Sequence, residues 1–229
     1  MNYLSHHRVA RAAVPDAAPE FYVGNVLPDL LGTSGEARLR TRSVQSQSGE
    51  LARGARLHLA TDKLFHGHAA FRDASAEASA LLREAPFSEP PPRLFFLAHV
   101  FVEVALDGVL AEEDISHVDH FYAQFADCDL TTVVEQTGQW VGAEGPLLGL
   151  AVTLKRFMDA AYLYSYETPE GRAEALARVC QRAGLQFGIS AEDKAVAATA
   201  FARFAPMVAP RVVDLLALPD ASLWYNSTD

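Results

Sequence analysis

The sequence predicts an all-α chain, and three observations carry that prediction. Apolar residues recur at three- and four-residue intervals over long stretches, capping signals stand ahead of several of them, and no run alternates apolar and polar as a strand would. Half of the 229 residues are hydrophobic, enough for a sizeable core. We expect a single domain over residues 1–229, a bundle of eight or more helices.

Residues 1–13 read as a short helix stopped at Val14-Pro15-Asp16. Phe21 to Gly32 reads as a second short helix, with Asp29 among its apolar residues and Gly32 ending it. Thr33 to Gln47, rich in Ser, Thr and Arg, reads as an exposed loop leading into a long helix through His66. Gly67 bends or interrupts the pattern, and an Ala-rich amphipathic helix spans Ala69 to Arg83. Pro86 and Pro90-Pro91-Pro92 set a boundary before an apolar helix that ends near Ala111. Asp114 caps a helix through Phe125, and Asp129 or Thr131 starts another to about Trp140. Leu147 to Tyr166 reads as one long apolar helix. Thr168-Pro169-Glu170 opens the next, which runs to Arg182. Ser190-Ala191-Glu192-Asp193 is a capping box for a last helix over residues 190–218, which Pro206 and Pro210 kink or split, and residues 219–229 read as an irregular tail.

Charge and cysteine usage narrow the function classes. The formal net charge is −10, with Lys only at positions 63, 155 and 194, and no basic cluster marks a nucleic-acid footprint. Cys128 and Cys180 stand apart with no motif around them, as reduced residues of a cytosolic protein do. Residues 1–13 lack the apolar stretch of a signal peptide, and no apolar run is expected to reach the ~20 residues that span a bilayer. A cytoplasmic location with no nucleic-acid or membrane partner follows as the expectation, with the oligomeric state left open. There is no P-loop, Rossmann glycine pattern, nucleophile elbow or CxxC pair. Cys128, between Asp127 and Asp129, is a poor nucleophile because acidic neighbours raise a thiol pKa.

The chemistry concentrates in two rows. Positions four apart stack on one helix face, so His58, Asp62 and His66 form one row and His99, Glu103 and Asp107 another. Imidazole and carboxylate are the donors a divalent ion needs, converging from different elements, and His6 and Asp29 add two more. The second row sits in the apolar run from Leu94, where unpaired buried charge is costly; a metal, a salt bridge or a water-filled pocket would satisfy it. His58 and Asp62 alone also read as an ordinary i,i+4 ion pair, and His117 and His120 as surface residues. Tyr162, Tyr164 and Tyr166 read mainly as packing. Arg156 and Arg182 are candidates to hold a phosphate bidentately, though such arginines more often cap a helix or pair with a carboxylate.

Met1-Asn2-Tyr3-Leu4-Ser5-His6, then Gly24-Asn25-Val26-Leu27-Pro28-Asp29, then Gly54-x-x-x-His58-x-x-x-Asp62 occur in an order and spacing that resembles the acyl carrier protein phosphodiesterase family, all-helical relatives of the HD-domain phosphohydrolases. The likeness continues at Glu103 and Asp107 and at Tyr162-Leu163-x-x-Tyr166 leading to Leu176 and Arg182. It implies an HD-like bundle and a divalent metal (Mn, Fe or Zn) that activates water against a phosphodiester. By position it implies His6, Asp29, His58, Asp62 and Asp107 as metal ligands, with Glu103 near them; Asp62, Glu103 and His99 are the expected catalytic groups, and His66 and Arg156 the expected contacts to the substrate phosphate. The implied substrate is a phosphoester on a carrier protein or a small molecule. The chain departs from the family at Leu59-Ala60, Phe65-His66 and Gly108. Two alternatives are a non-catalytic helical binding or scaffold protein with a degenerate metal site, and a metal enzyme with other hydrolytic chemistry.

Overall fold

In the computed structural model, which describes residues 1–225, the chain folds as helices joined by short turns, with no strand among the described residues. In chain order these are α1 (Tyr3–Ala13), α2 (Pro19–Ser34), α3 (Thr41–Val44), α4 (Glu50–Gly67), α5 (Ala69–Glu84), α6 (Leu94–Glu113), α7 (Ser116–Ala126), α8 (Leu130–Val141), α9 (Leu148–Ala160), α10 (Pro169–Arg182), α11 (Ala191–Val208) and α12 (Val212–Leu215). The all-α class is therefore observed. Three expected caps are present: Asp129 accepts from Thr131 N–H and Thr132 N–H, Thr168 from Gly171 N–H, and Ser190 from Asp193 N–H. Asp114 is not the cap of α7: Ile115 holds that position, and Asp114, one residue before it, accepts from Ser116 N–H.

Four boundaries differ from expectation, each for a local reason. Helix α2 runs through Gly32 and stops at Gly35, whose φ of 77° is the left-handed cap that glycine adopts freely. The expected loop over 33–47 contains α3. The expected helix over Leu147 to Tyr166 breaks at Ala161, which has φ 43°, and Tyr162–Glu167 continues as a 3-10 turn. The expected last helix over 190–218 ends at Val208, and Pro210 falls in a 3-10 turn, Ala209–Arg211, before α12. Ala221–Leu223 forms a further turn within the expected tail; residues 226–229 lie outside the described residues.

Helix α6 is the hub, packed by α1, α5, α7, α10 and α11. It corrects one expectation, because it and the stretch Ala191–Leu215 are both long and apolar enough to cross a membrane by length and composition. His99, Glu103 and Asp107 do not interrupt α6 as helix, and most of its apolar surface is covered by neighbouring helices. The fully buried Arg172 of α10 crosses α6 at Gly108, where a Cβ would lie 2.0 Å from its Nε. Arg172 donates to the carbonyls of Tyr166, Gly108 and Glu167 and pairs with Glu112.

The most extensive helix–helix contact joins α2 and α4. Two glycines allow it. A Cβ on Gly54 would lie 2.0 Å from Phe21 O, and one on Gly24 would lie 2.2 Å from Leu51 O, so the backbones touch where these residues cross. Gly54→Ala must push the helices apart, since the obstructing atom is backbone. We expect it to cost roughly 3 kcal/mol, read as a lower urea midpoint. A wild-type midpoint would show that the contact tolerates a methyl group.

Candidate metal centre

The close crossing of α2 and α4 carries three donor residues past it: Asp29 on α2, and His58 and Asp62 on α4. Helix α1 lies across both and adds His6. Donor atoms of His6, Asp29 and His58 all come within 4.8 Å of one another, as a three-residue metal site requires. His6 Nε2 is 3.6 Å from Asp62 Oδ1 and 3.9 Å from Asp29 Oδ2, and His58 Nε2 is 3.6 Å from Asp29 Oδ1. The two imidazoles stack with centroids 3.8 Å apart.

The tautomers suit metal binding. His58 Nδ1–H donates to Asn25 O at 2.7 Å, which leaves the Nε2 lone pair facing Asp29. Both ring nitrogens of the buried His6 lack a hydrogen-bond partner. A buried imidazole in that state is costly, and a cation between it and the carboxylates would relieve it. Behind the rings, the buried Asn25 amide is oriented with its nitrogen donating to His6 O at 2.7 Å and its oxygen accepting from His58 N–H at 3.1 Å. That bracket ties α1, α2 and α4 together at the site.

Burial sets the protonation states. It pushes His6 and His58 down to about 4, so both rings are neutral donors near pH 7. It pushes Asp29 up to about 6, although 36% of that side chain faces the cavity. Burial also opposes ionisation of Asp62 and Glu103, but nearby cationic groups and imidazoles outweigh it and hold both well below the usual carboxylate range. The Met1 ammonium bridges the two, 2.9 Å from Asp62 Oδ1 and 3.0 Å from Glu103 Oε1. Burial lowers its pKa, and Glu103, Asp62 and Asp29 raise it further, to about 10.

A second donor group adjoins the first. His66 Nε2 and His99 Nε2 lie 3.2 and 3.0 Å from Glu103 Oε1, and His66 Nδ1 lies 3.5 Å from Asp62 Oδ2. The His66 and His99 rings stack at 4.7 Å and Phe71 packs edge-on to both. His66, His99 and Glu103 also have donor atoms within 4.8 Å of one another.

Three expected residues stand elsewhere. Asp107 is buried and both its oxygens are taken: Leu4 N–H at 2.9 Å, Ser5 N–H at 2.8 Å and Ser5 Oγ–H at 2.6 Å. Those are the first donors of α1, whose own Asn2 makes no side-chain cap, so Asp107 caps α1 from α6 and is not a ligand in this geometry. Arg156 is exposed on α9 and does not line the cavity beside the donors; Arg178 and Arg182 of α10 do. His66 stands behind Glu103 and is likewise off the cavity wall.

That cavity, about 750 Å3, is lined by Asp29, His58, Asp62 and Glu103 together with Tyr162 and Tyr166. Tyr162 and Tyr166, expected to be packing, reach it because the chain breaks at Ala161, while Tyr164 turns outward to Asp119. Comparison with family models, curated proteins and solved structures returns no match for this chain.

Two predictions follow from this geometry. Asp107→Ala strands three donors at the start of α1 and should cost about 3 kcal/mol, measured by denaturant unfolding; a change below ~0.5 kcal/mol would mean that another acceptor replaces it. Proton competition should weaken divalent-ion binding as pH falls. Asp29 must lose its proton, so affinity should drop about tenfold per pH unit below about 6, and more steeply below about 4 as His6 and His58 protonate. Calorimetric titrations from pH 7.5 to 4.5 check this, and a pH-independent affinity would place the ion elsewhere.

Proposed function

We propose that this protein is a metal-dependent hydrolase of phosphoric esters, phosphodiesters above all, with an HD-like bundle resembling that of the acyl carrier protein phosphodiesterases. The observation that carries the reading is the pair of stacked, buried, neutral imidazoles, His6 and His58, meeting Asp29 and Asp62 at a polar cavity. Imidazole with carboxylate suits Mn, Fe or Zn. His6, Asp29, His58 and Asp62 would hold the ion.

When bound, such an ion supplies Lewis acidity and a water acidified toward neutral pH. The chain's own groups do the rest. Asn25 fixes the His58 ring and holds the backbones of α1 and α4 in register. Glu103 lines the cavity as an anion, its Oε1 oriented by His66 and His99. His99 Nε2 is placed to hold a proton that Glu103 exchanges with a substrate oxygen. The substrate is a small-molecule or carrier-protein phosphoester.

A second reading has one observation in its favour. Asp62 and Glu103 already share the Met1 ammonium, so the polar rows are internally paired, as in a non-catalytic binding or scaffold protein.

Elemental analysis of protein purified without chelator separates the two. The hydrolase reading expects about one equivalent of divalent metal in the wild type. His58→Ala should retain under ~0.1 equivalent and lose about 100-fold or more in hydrolysis of bis(p-nitrophenyl) phosphate. Metal well below one equivalent in the wild type, or undiminished in the variant, sinks this reading.

A further inference from the structure

Besides the carboxylates and His58, the cavity wall carries three arginines. Arg178 and Arg182 stand one turn apart on the same face of α10, and Arg38 joins them from the segment between α2 and α3. Five basic side chains elsewhere are matched to carboxylates: Arg53 to Glu50, Arg172 to Glu112, Arg211 to Glu77, Lys155 to Asp159 and Lys194 to Glu174. Among the described residues no carboxylate pairs with Arg38, Arg178 or Arg182, in a chain with ten more acidic than basic residues.

Arg178 is the most constrained of the three. Its guanidinium lies over the Tyr162 ring, 4.8 Å from the centroid, which fixes its plane. Its Nη2 is buried and has no hydrogen-bond partner. Arg182 sits in the last turn of α10, where a cation is favoured in any case, so Arg178 carries the inference. A planar guanidinium with an unsatisfied donor, lining a cavity together with two more cations, is a group that a phosphate oxyanion recognises.

We propose that Arg178, Arg182 and Arg38 form an anion subsite that takes a second phosphate group of the substrate, so that the protein acts on phosphoesters carrying two anionic groups. This rests on the hydrolase reading for the first group, held by the His and Asp donors, and extends it to the second. Binding energy at the second phosphate would position the ester to be cleaved, and energy from a non-reacting group contributes to turnover as well as to affinity.

Calorimetric titration of the metal-stripped full chain with inorganic phosphate, and separately with acetate, tests the subsite without any turnover. Phosphate should bind more tightly than acetate, and Arg178→Met should weaken phosphate at least ~10-fold while leaving the metal affinity of the reloaded protein unchanged. Arg182→Ala, at an exposed position, should also weaken phosphate and serves if the Arg178 variant does not fold. Absence of phosphate binding in the wild type, equal binding in both variants, or preference for acetate overturns the proposal. A wild type that holds metal but binds no phosphate overturns the subsite alone. Phosphate binding by a chain that holds no metal sustains the subsite and overturns the hydrolase reading.

Discussion

The candidate centre depends on how closely α2 approaches α4. With Gly24 against Leu51 O and Gly54 against Phe21 O, no side chain separates the two backbones at the crossing. Asp29 lies five residues beyond Gly24, and His58 and Asp62 lie four and eight beyond Gly54, so short side chains from both helices reach one point. At an ordinary interaxial distance of 8–10 Å the same carboxylate and imidazoles would fall short of a common ion. The same crossing lets Asn25 span to His6 O and His58 N–H, so one contact both builds the site and fixes the orientation of a ligand ring.

Helix α1 is the second dependency. It carries His6 into the site, yet its first turn has no acidic residue and no cap of its own. Asp107, reaching from α6, accepts the orphan N–H groups and so locks α1 against the hub helix. Burial raises the Asp107 pKa to about 7 against the pull of Ser5 and the two N–H groups, the mark of a carboxylate placed for structure at some electrostatic cost. Arg172 does comparable work one residue on, crossing α6 at Gly108 to gather carbonyls from the turn that presents Tyr166. Helix α6 is thus tied to α1 and to α10 by buried polar anchors at adjacent positions.

What was legible in the sequence was local. Caps at Asp129, Thr168 and Ser190, the four-residue row through His58 and Asp62, and Asp29 isolated among apolar residues all depend on near neighbours, and each falls where its spacing placed it. What was not legible was tertiary. The row His99, Glu103, Asp107 looks uniform along α6, but Asp107 meets the start of α1 while Glu103 meets the cavity, a split set by which helix covers each turn. Arg156 and Arg178 carry the same charge; Arg156 falls on the exposed face of α9 and Arg178 on a face of α10 that lines the cavity, which depends on how the helices pack and not on either residue's neighbours in sequence. His7, adjacent to His6 and equally buried, packs edge-on to Tyr22 and Phe121 and is excluded from the centre by one helical step.

The cavity wall carries both carboxylates and guanidinium groups, with His58 beside the carboxylates. A divalent ion held by His58 and its neighbouring donors would offset the carboxylate charge and turn the cavity toward anionic ligands. X-ray absorption at the metal edge of the manganese-loaded protein tests the central claim most directly. Two imidazole rings and carboxylate oxygens around the ion are the predicted shell; an ion surrounded by oxygen alone, with no imidazole scattering, would contradict it.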